Sequence, residues 1–381
     1  MATDVKWFHS GQAGAPSLNN AAGSLIGVLD ACLVNGFSAQ TVDSIVIASG
    51  IATVTRAAGH PFEPNMVTEI SGATVTGGSI NGQKEVLTNT STSYTFDATG
   101  IPNQTATGTI THKAASLGWG KTFSGTNLAA YRSADVTGTR DFLRVDDTGT
   151  NNARTVGYEN MTDVNTGTGP FPTSAQLSGG AFWIKSSSAT ARPWIVFGDS
   201  RFFIFAVANT GTSSYSTMAF GDFISYKSPD PFGCLLAAPT VDASDSVNST
   251  TEREFSGVNV ASNNSMWYPR AASGLGSSVV GRRGTFSYIN SDRLSGADGF
   301  TFPNPADNGL YIGNMYLFDS AAPVALRGVA PGFYFCPQSV GNLIYAPRER
   351  VSGVTGFPGK TFLAVPNASG VYFVDVVGPW R

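Results

Sequence analysis

The pattern of hydrophobic and polar residues predicts one helix near the start of the 381-residue chain. Apolar or small residues recur three or four positions apart, which is the spacing of one helix face. These positions are Leu18, Ala22, Leu25, Ile26, Leu29, Cys32 and Leu33. Ser17 can cap the first turn, and Asn35-Gly36 can end the helix in the left-handed backbone conformation. We therefore predict a helix over residues 18–34, with Ser17 as its N-cap.

The apolar face of this helix allows two packing arrangements. Small residues on or near the face let another backbone approach closely, although they lower helix propensity. They are Gly23, Ser24 and Gly27. In one arrangement the helix packs on a sheet of its own domain. In the other it docks onto a neighbouring subunit, with Leu25, Ile26 and Leu29 as candidate interface residues.

After Phe37 the period of the pattern changes from about 3.6 to about 2, which is typical of β-strands. Residues 42–48 and 51–55 lie on either side of Ser49-Gly50, and this arrangement predicts a hairpin. Further strands are predicted over Met66–Ile70, Gln83–Thr88, Tyr94–Ala98 and Thr105–His112. Short strands at a spacing of about ten residues are typical of a small β-sandwich or barrel, which we predict over residues 38–115.

The rest of the chain keeps a β pattern that is less regular. Predicted strands are Phe142–Val145, Ala181–Ile184, Trp194–Phe197, Phe202–Val207, Phe220–Tyr226, Thr285–Tyr288, Tyr311–Phe318, Phe333–Phe335, Thr361–Val365 and Val371–Val376. Several of them are apolar throughout, which indicates strands that are covered on both faces. We predict a larger irregular β-sandwich-like domain over residues 116–381, or two domains with a break near 242–251. With an N-terminal arm and helix over residues 1–37, the predicted fold class is mainly β.

The composition agrees with a mainly β fold and restricts the possible partners. Turn-forming and aromatic residues are abundant, with 44 Gly, 20 Pro and 25 Phe. Only 13% of the residues are charged and the formal net charge is -3. Nucleic-acid binding requires clustered Lys and Arg, so we expect no nucleic-acid partner. A chain with few like charges suits a crowded assembly of protein subunits.

Cysteine usage and the apolar runs restrict the chain further. An odd number of distant cysteines without C-x-x-C spacing indicates neither a disulfide framework nor a zinc site. Cys32, Cys234 and Cys336 are therefore predicted to be small buried hydrophobes. The first residues lack the basic and apolar regions of a signal peptide, and no run approaches the ~18 apolar residues of a membrane span. We expect synthesis in a cytoplasm and no membrane insertion.

Residues that could support catalysis or bind a cofactor do not form a recognisable motif. The three histidines, His9, His60 and His112, lie in different local settings, and no Gly-x-Ser-x-Gly elbow is present. Acidic residues such as Asp146, Asp147, Asp199 and Asp222 could form the carboxylate pair of a glycosidase, but spacing alone does not place two of them across a cleft. The oxygen-rich loop of residues 146–152 lacks the ligand spacing of an EF-hand, and a plain turn is the simpler interpretation. We predict no catalytic, cofactor or metal residues, and a protein that is not an enzyme.

Two aromatic segments are further candidates for an interface. Trp, Tyr and Arg are the residue types that anchor protein interfaces, and Trp also stacks on sugars. The first segment, Met266-Trp267-Tyr268-Pro269-Arg270, is predicted to be a loop. The second, Gly378-Pro379-Trp380-Arg381, is formed by the last four residues of the sequence. We expect the first segment either to cap the core of its own domain or to contact a partner through Trp267, Tyr268 and Arg270. We expect the second to dock, through Trp380 and Arg381, either into the chain's own fold or into a partner.

Several segments resemble virion structural proteins of tailed bacteriophages, best over residues 1–115. They are His9-Ser10-Gly11, Gly14-Ala15-Pro16, Ala22-Gly23-Ser24-Leu25-Ile26, Leu29–Phe37, Gly50–Val54, Gly59-His60-Pro61-Phe62, Ile70-Ser71-Gly72-Ala73, Asn81-Gly82, Thr107–Ile110 and the closing Gly378-Pro379-Trp380-Arg381. The resemblance implies a component of the phage particle, and it supplies no functional residues to carry over.

The leading hypothesis is therefore a non-enzymatic structural subunit of a phage tail or baseplate, located in the virion after synthesis in the bacterial cytoplasm. Its expected partners are other virion structural proteins and further copies of the same chain, in a homo-oligomer. Two alternatives stay open. One is a capsid decoration or head-tail connector protein. The other is a tail protein that binds a host surface glycan through exposed aromatic residues.

Overall fold

The computed structural model describes residues 4–186, 188–208, 214–239, 255, 266–284, 302–320, 323–338, 346–367 and 370–381. The protein is mainly β, with 48% strand and 4% helical residues in several antiparallel sheets. The predicted fold class is confirmed at this level. An N-terminal strand, β1 (Lys6–His9), precedes the short helix α1 (Ser24–Leu29), which continues into a π-helical segment over Asp30–Asn35.

Two small sheets form the region that follows the helix. Their strands are β2 (Phe37–Thr41), β3 (Ser44–Ala48), β4 (Ile51–Thr55), β5 (Val67–Ser71), β6 (Gly82–Glu85), β7 (Thr88–Asn89), β8 (Ser93–Asp97), β9 (Gln104–Thr105) and β10 (Thr111–Ala114). One sheet has the order β2-β10-β5-β6 and the other the order β7-β8-β4-β3-β9. Alternate side chains of both sheets enter one buried apolar cluster, including Ile45, Val54, Phe96 and Ile70.

A six-stranded sheet follows. It contains β11 (Trp119–Gly125), β12 (Leu128–Ser133), β13 (Phe142–Asp146), β14 (Asn152–Asp163), β15 (Thr166–Phe171) and β16 (Ala181–Ile184). The strands pair in sequence order from β11 to β15, and β16 pairs with the first residues of β14, Asn152–Thr155.

The remaining strands belong to a thirteen-stranded sheet that also includes β1. They are β17 (Trp194–Gly198), β18 (Phe202–Ala208), β19 (Tyr215–Asp222), β20 (Ile224–Ser225), β21 (Cys234–Ala237), β22 (Met266–Tyr268), β23 (Val279–Gly284), β24 (Gly313–Asp319), β25 (Ala325–Phe335), β26 (Arg350–Ser352), β27 (Thr361–Asn367) and β28 (Gly370–Asp375). The order is β1-β17-β18-β19-β21-β22-β23-β24-β25-β28-β27-β26, with β20 paired to β25. Because β1 pairs with β17, the N-terminal arm shares a sheet with the last third of the chain.

Strands β17, β18 and β19 form a middle layer that is covered on both faces. On one face, Phe203 contacts Trp119 of the six-stranded sheet edge to face, at 5.2 Å between ring centroids. On the other face, Phe202 and Ile204 join a second buried cluster with Phe333 of β25. Every residue of β18 is buried. The continuous apolar runs of β17 and β18 predicted strands that are covered on both faces, and this prediction is confirmed.

The helix is shorter than predicted because its cap comes from a distant part of the chain. It begins at Ser24, not at residue 18, and its first turn is capped by the carboxylate of Asp147. The backbone N–H groups of Leu25 and Ile26 donate to Asp147 Oδ2 at 2.8 and 3.1 Å. The other carboxylate oxygen of Asp147 lies 2.6 Å from Lys185 Nζ, with both side chains fully buried. The sequence around residue 17 contains no sign of this cap.

The end of the helical segment and the first hairpin agree with the sequence. Gly36 has a φ of 70°, and a Cβ there would lie 2.1 Å from the carbonyl oxygen of Ala114, so only glycine fits. In the hairpin, Ser49 and Gly50 have φ angles of 51° and 78° and join β3 to β4. Two consecutive positive φ angles are typical of a type I′ turn.

Other predicted strands differ in detail. The predicted strand Gln83–Thr88 is divided at Val86, because β6 and β7 belong to different sheets. Residues 266–268, interpreted as part of a loop, form the buried strand β22. The predicted strand Thr285–Tyr288 and the break near 242–251 lie outside the described residues.

Candidate functional site

The described surface contains an open cleft of about 370 Å³ between β1 and the loop of residues 56–66. Its walls include His9, Gln12, His60, Glu63 and Asn89. These residues come from separate segments of the chain, so the cleft is formed only by the tertiary fold. It combines two histidines and a carboxylate, the side-chain types that carry out general acid–base chemistry.

Both ring nitrogens of His9 are occupied by contacts within the protein. The backbone N–H of Gly11 donates to Nδ1 at 3.1 Å. Nε2 lies 2.9 Å from Glu63 Oε1 and 2.8 Å from Arg348 Nη1. Burial lowers the pKa of His9, the hydrogen bond to Glu63 opposes this, and the charge of Arg348 lowers it further. His9 is therefore a neutral, internally bonded side chain and not a free base facing the cleft.

Glu63 is the centre of a polar junction between distant segments. Arg348 Nη1 lies 3.2 Å from Glu63 Oε1, and Arg350 Nη1 donates to the carbonyl oxygen of Pro64 at 3.0 Å. Burial raises the pKa of Glu63, but the hydrogen bond from His9 and the charges of His9, Arg348 and Arg350 outweigh it, and the pKa is lowered overall. This junction joins the N-terminal strand, the loop of residues 56–66 and the segment before β26.

The floor of the cleft continues into a buried aromatic group. Tyr94 OH lies 3.0 Å from His112 Nδ1, and His112 Nε2 lies 3.3 Å from Gln40 Oε1. The ring of Phe62 meets both Tyr94 and His112 edge to face, at 5.1 and 5.0 Å. Burial, followed by the charges of His60 and Arg56, lowers the pKa of His112 to about 4. The group fastens the two small sheets to each other.

A second group of titratable side chains lies where the six-stranded sheet meets β19 and β21. Burial raises the pKa of Asp141 well above its ordinary value, and the nearby charges of Asp222 and Glu159 add to the effect. Asp222 accepts hydrogen bonds from the hydroxyl and the backbone N–H of Thr139, at 2.6 and 3.0 Å. Burial also raises the pKa of the Cys234 thiol. Asp141, Asp222 and Cys234 are buried.

The predicted interface residues of the helix lie inside the chain's own fold. Leu25 and Leu29 are fully buried, and Ile26 is 7% exposed. They belong to the same apolar cluster as the two small sheets and the six-stranded sheet. In the single chain their side chains thus occupy the intramolecular arrangement, and they offer almost no surface to a neighbour.

The Trp267 segment is also internal. Trp267 is 1% exposed and Tyr268 is fully buried, because β22 is paired on both sides, with β21 and β23. Arg270 forms a two-point ion pair with Glu159, at 2.7 and 2.8 Å, and lies over the ring of Phe232. Stacking of Trp267 on a glycan is therefore excluded in this structure by the strands that cover it.

The Trp380 segment docks onto the chain itself. Trp380 Nε1 donates to the carbonyl oxygen of Asp375 at 2.9 Å. Arg381 donates from Nε to Asp199 Oδ2 at 3.1 Å and from Nη2 to the carbonyl oxygen of Asp222 at 3.1 Å. Arg381 thus binds the carboxylate of Asp199 and the backbone of Asp222, whereas the carboxylate of Asp222 accepts a hydrogen bond from Thr139.

The other predicted features have structural roles. All three cysteines are free and buried, as predicted. In the loop of residues 146–152, Asp146 accepts a hydrogen bond from the Thr148 hydroxyl at 2.7 Å, and Asp147 caps the helix. Among the residues that the structure describes, no group of three His, Cys, Asp or Glu is placed to hold a metal ion. No described helix has the length and apolar character that crossing a membrane requires.

One exposed surface was missed by the sequence reasoning. It is the outer face of the five-stranded sheet, here called the hydroxyl face. Its side chains are Ser44, Val46, Ala48, Ile51, Thr53, Thr55, Thr88, Ser93, Thr95, Asp97 and Thr105. The available signal was the alternation of small hydroxyl residues with large apolar residues in β4 and β8, which indicates one buried face and one outer face.

No family model matches the sequence, and no curated protein matches it either. The candidate sites therefore rest on the geometry of this chain alone.

Proposed function

We propose that this chain is a non-enzymatic structural subunit of a bacteriophage virion, in the tail or baseplate, and that it acts through multivalent contacts with other proteins. The observation that carries the proposal is the hydroxyl face, a regular sheet surface with a single charged side chain. Such a surface has little to offer a charged small substrate, but it can pack against another protein surface. The resemblance of residues 1–115 to tailed-phage virion proteins supports the same role.

The internal use of the reactive side chains supports a structural role as well. His9 and Glu63 are bonded to each other, His112 is bonded to Tyr94 and Gln40, and Asp141 is enclosed. In each case the group joins segments that are far apart in the sequence. Groups of this kind fix one rigid arrangement of the sheets, and a subunit that must fit its neighbours benefits from rigidity.

In the same proposal, the two small sheets of residues 38–115 form a β-sandwich that presents the hydroxyl face. The sheets of residues 116–381 form the larger body that carries it, and residues 1–37 link the two. Neighbouring copies and other virion proteins are the partners.

The test is to locate the protein in purified phage particles. Gold-labelled antibodies raised against the purified chain, or a cryo-EM map of the particle, are expected to place it in the tail or baseplate. Density confined to the capsid would instead favour the decoration or connector alternative. Particles that lack the protein would contradict any virion role.

The glycan-binding alternative retains one specific feature. Tyr226 is 57% exposed and is an aromatic side chain that could stack on a sugar, whereas Trp267 could not. Host glycan binding that is lost in Tyr226→Ala and kept in Thr41→Ala, an exposed strand residue elsewhere, would favour this alternative over a purely structural role.

A further inference from the structure

The buried pair of Lys185 and Asp147 has a geometry that an ordinary ion pair does not require. Lys185 Nζ lies 2.6 Å from Asp147 Oδ1, and neither side chain has any exposed surface. Nζ also donates hydrogen bonds to the carbonyl oxygens of Gly149 and Ala21, at 2.6 and 3.0 Å. Among the described residues Oδ1 has no hydrogen-bond partner, so the short contact with Nζ does not run along a hydrogen-bond direction. A neutral amine suits this arrangement, because it has two hydrogens for the two carbonyls and a lone pair left for the carboxyl group.

The carboxyl group of Asp147 is held ready for attack at its carbon atom. Oδ2 accepts hydrogen bonds from the backbone N–H groups of Leu25 and Ile26, at 2.8 and 3.1 Å. Two N–H groups on one oxygen stabilise the negative charge that forms there when a nucleophile attacks the adjacent carbon. Burial raises the pKa of Asp147, which favours the protonated carboxyl group, the form that an amine attacks.

The surroundings of the pair favour uncharged reactants. The neighbouring residues Leu25, Val145 and Ile184 belong to the largest buried apolar cluster. In a medium of low dielectric constant an ion pair loses its advantage over a neutral amine and a neutral acid, because two charges are costly to keep out of water. The fold also holds the two groups in contact, which replaces a collision in solution by a reaction within one molecule.

We propose that Lys185 and Asp147 condense to an isopeptide bond, an amide between the two side chains. Nζ forms a bond to Cγ of the protonated carboxyl group, and the bond from Cγ to Oδ1 breaks. One proton passes from Nζ to the departing hydroxyl group, which leaves as water, so neither an oxidant nor a reductant takes part. Oδ2 becomes the amide oxygen and keeps both of its hydrogen bonds, and the remaining hydrogen on Nζ donates to the carbonyl oxygen of Gly149. The ion pair is the folded reactant, and the amide forms from it after folding.

The bond would close a covalent ring within the six-stranded sheet. Asp147 follows β13 and Lys185 follows β16, so the ring contains β14, β15 and β16. It would also join the cap of the helix permanently to this sheet. The inference goes beyond the proposed function, since a structural subunit does not require such a bond.

The experiment is mass spectrometry of the purified chain after denaturation, which breaks an ion pair and leaves an amide intact. The intact mass is expected to fall below the sequence mass by one water molecule, in a fraction that grows during incubation at neutral pH. A tryptic digest locates the change. The peptide of residues 145–154, which contains Asp147, is expected to be joined to the peptide that contains Lys185, and trypsin is expected not to cleave after Lys185.

Two variants serve as controls. Lys185→Arg keeps the positive charge, but a guanidinium group is a poor nucleophile, so this variant is expected to keep the full sequence mass. Lys121→Arg is the matched control. Lys121 lies 2.9 Å from Asp30 with both side chains partly exposed, so its ammonium group stays hydrated and charged. This variant is expected to lose one water as the wild type does, and Lys121 of the wild type is expected to stay unlinked.

A wild-type mass that equals the sequence mass after prolonged incubation would overturn the inference, and this measurement does not depend on the folding of any variant. A loss of water that persists in Lys185→Arg would overturn it too, as would a dehydrated wild type that trypsin still cleaves after Lys185, because Asp147 would then have closed onto its own backbone. The test uses the purified chain without particles. Its failure leaves the virion role standing, and absence from particles would leave the isopeptide bond standing.

Discussion

Asp141 shows how one enclosed carboxyl couples the stability of this protein to pH. Burial and the charges of Asp222 and Glu159 raise its pKa in the folded state above that of an unfolded aspartate. A raised carboxyl pKa means that the folded state binds the proton more tightly. The free energy of unfolding therefore falls as the pH rises above about 4, the ordinary value of an aspartate.

We predict that Asp141→Asn reduces this dependence, because an amide of the same shape does not ionise. Thermal unfolding of the variant and the wild type should be measured between about pH 4 and pH 9. The variant is expected to gain stability relative to the wild type towards high pH. Asp97→Asn, at an exposed position, is the matched control. Parallel curves for Asp141→Asn and the wild type would contradict the prediction.

Gly332 is the residue that lets the Trp380 ring approach the backbone. Its φ is 61°, and a Cβ there would lie 2.1 Å from two atoms of the Trp380 indole. We predict that Gly332→Ala lowers the free energy of unfolding by about 2–5 kcal/mol, from backbone strain and displacement of the ring. Gly313→Ala is the control, since no atom lies within 4 Å of its added Cβ. Denaturant unfolding measures both, and equal effects would refute the role of Trp380.

For single residues, the sequence predicted which side chains pack but not what they pack against. Trp267, Trp380 and the helix leucines were predicted to be packing residues, and it stayed open whether they contact their own chain or another protein. The structure buries them because strands far away in sequence cover them. Likewise, Asp147 looked like part of a turn, while its role depends on Leu25 and Ile26, more than a hundred positions earlier.

At the scale of elements, the short helix depends on a buried ion pair. Asp147 caps the helix and contacts Lys185 at 2.6 Å, with both side chains fully buried. Burial raises the pKa of Asp147, although Lys185 and the backbone N–H groups of Ile26 and Leu25 oppose this. Removal of one partner leaves the other as an uncompensated buried charge, which is far more costly than the loss of a surface pair.

We predict that Lys185→Met destabilises the protein by about 3–5 kcal/mol. The double variant Asp147→Asn with Lys185→Met is expected to recover most of the loss, because Asn can still cap the helix without a charge. Lys121→Met, which breaks the partly exposed pair with Asp30, is the control and should cost about 1 kcal/mol or less. A double variant no more stable than Lys185→Met would argue against this account.

Elements with strong local signals were predictable, and elements set by distant contacts were not. The hairpin at Ser49-Gly50 follows from turn chemistry, and the apolar runs of β17 and β18 follow from two-sided burial. The start of the helix was wrong because its cap is remote. The division of the strand Gln83–Thr88 was missed, because the alternation of polar and apolar residues does not change where the chain passes from one sheet to the other at Val86.

For the whole molecule, the three histidines make the fold sensitive to acid. Burial lowers the pKa of each of them, and that of His112 falls to about 4. An unfolded histidine binds a proton near pH 6.5, so stability is present above this pH and is lost as the pH falls towards 4. For His112 alone the difference corresponds to about 3 kcal/mol.

We predict that His112→Gln is less stable than the wild type at pH 7 and loses less stability between pH 7 and about pH 4.5. Chemical denaturation at several pH values measures the difference. His9→Gln is a useful comparison, because Glu63 partly offsets the effect of burial at that position. An unchanged slope in His112→Gln would show that His112 is not the acid-sensitive group.

The middle layer of β17, β18 and β19 has a consequence for how the chain is made. Its strands leave the ribosome well before β24 to β28, which cover one of its faces. At ordinary rates of synthesis the delay is on the order of ten seconds. During that time a sheet face with Phe197, Phe202 and Ile204 is open to water and to other nascent chains. Early termination would therefore yield aggregates rather than a smaller soluble protein, and abundant production depends on protection of this face until synthesis is complete.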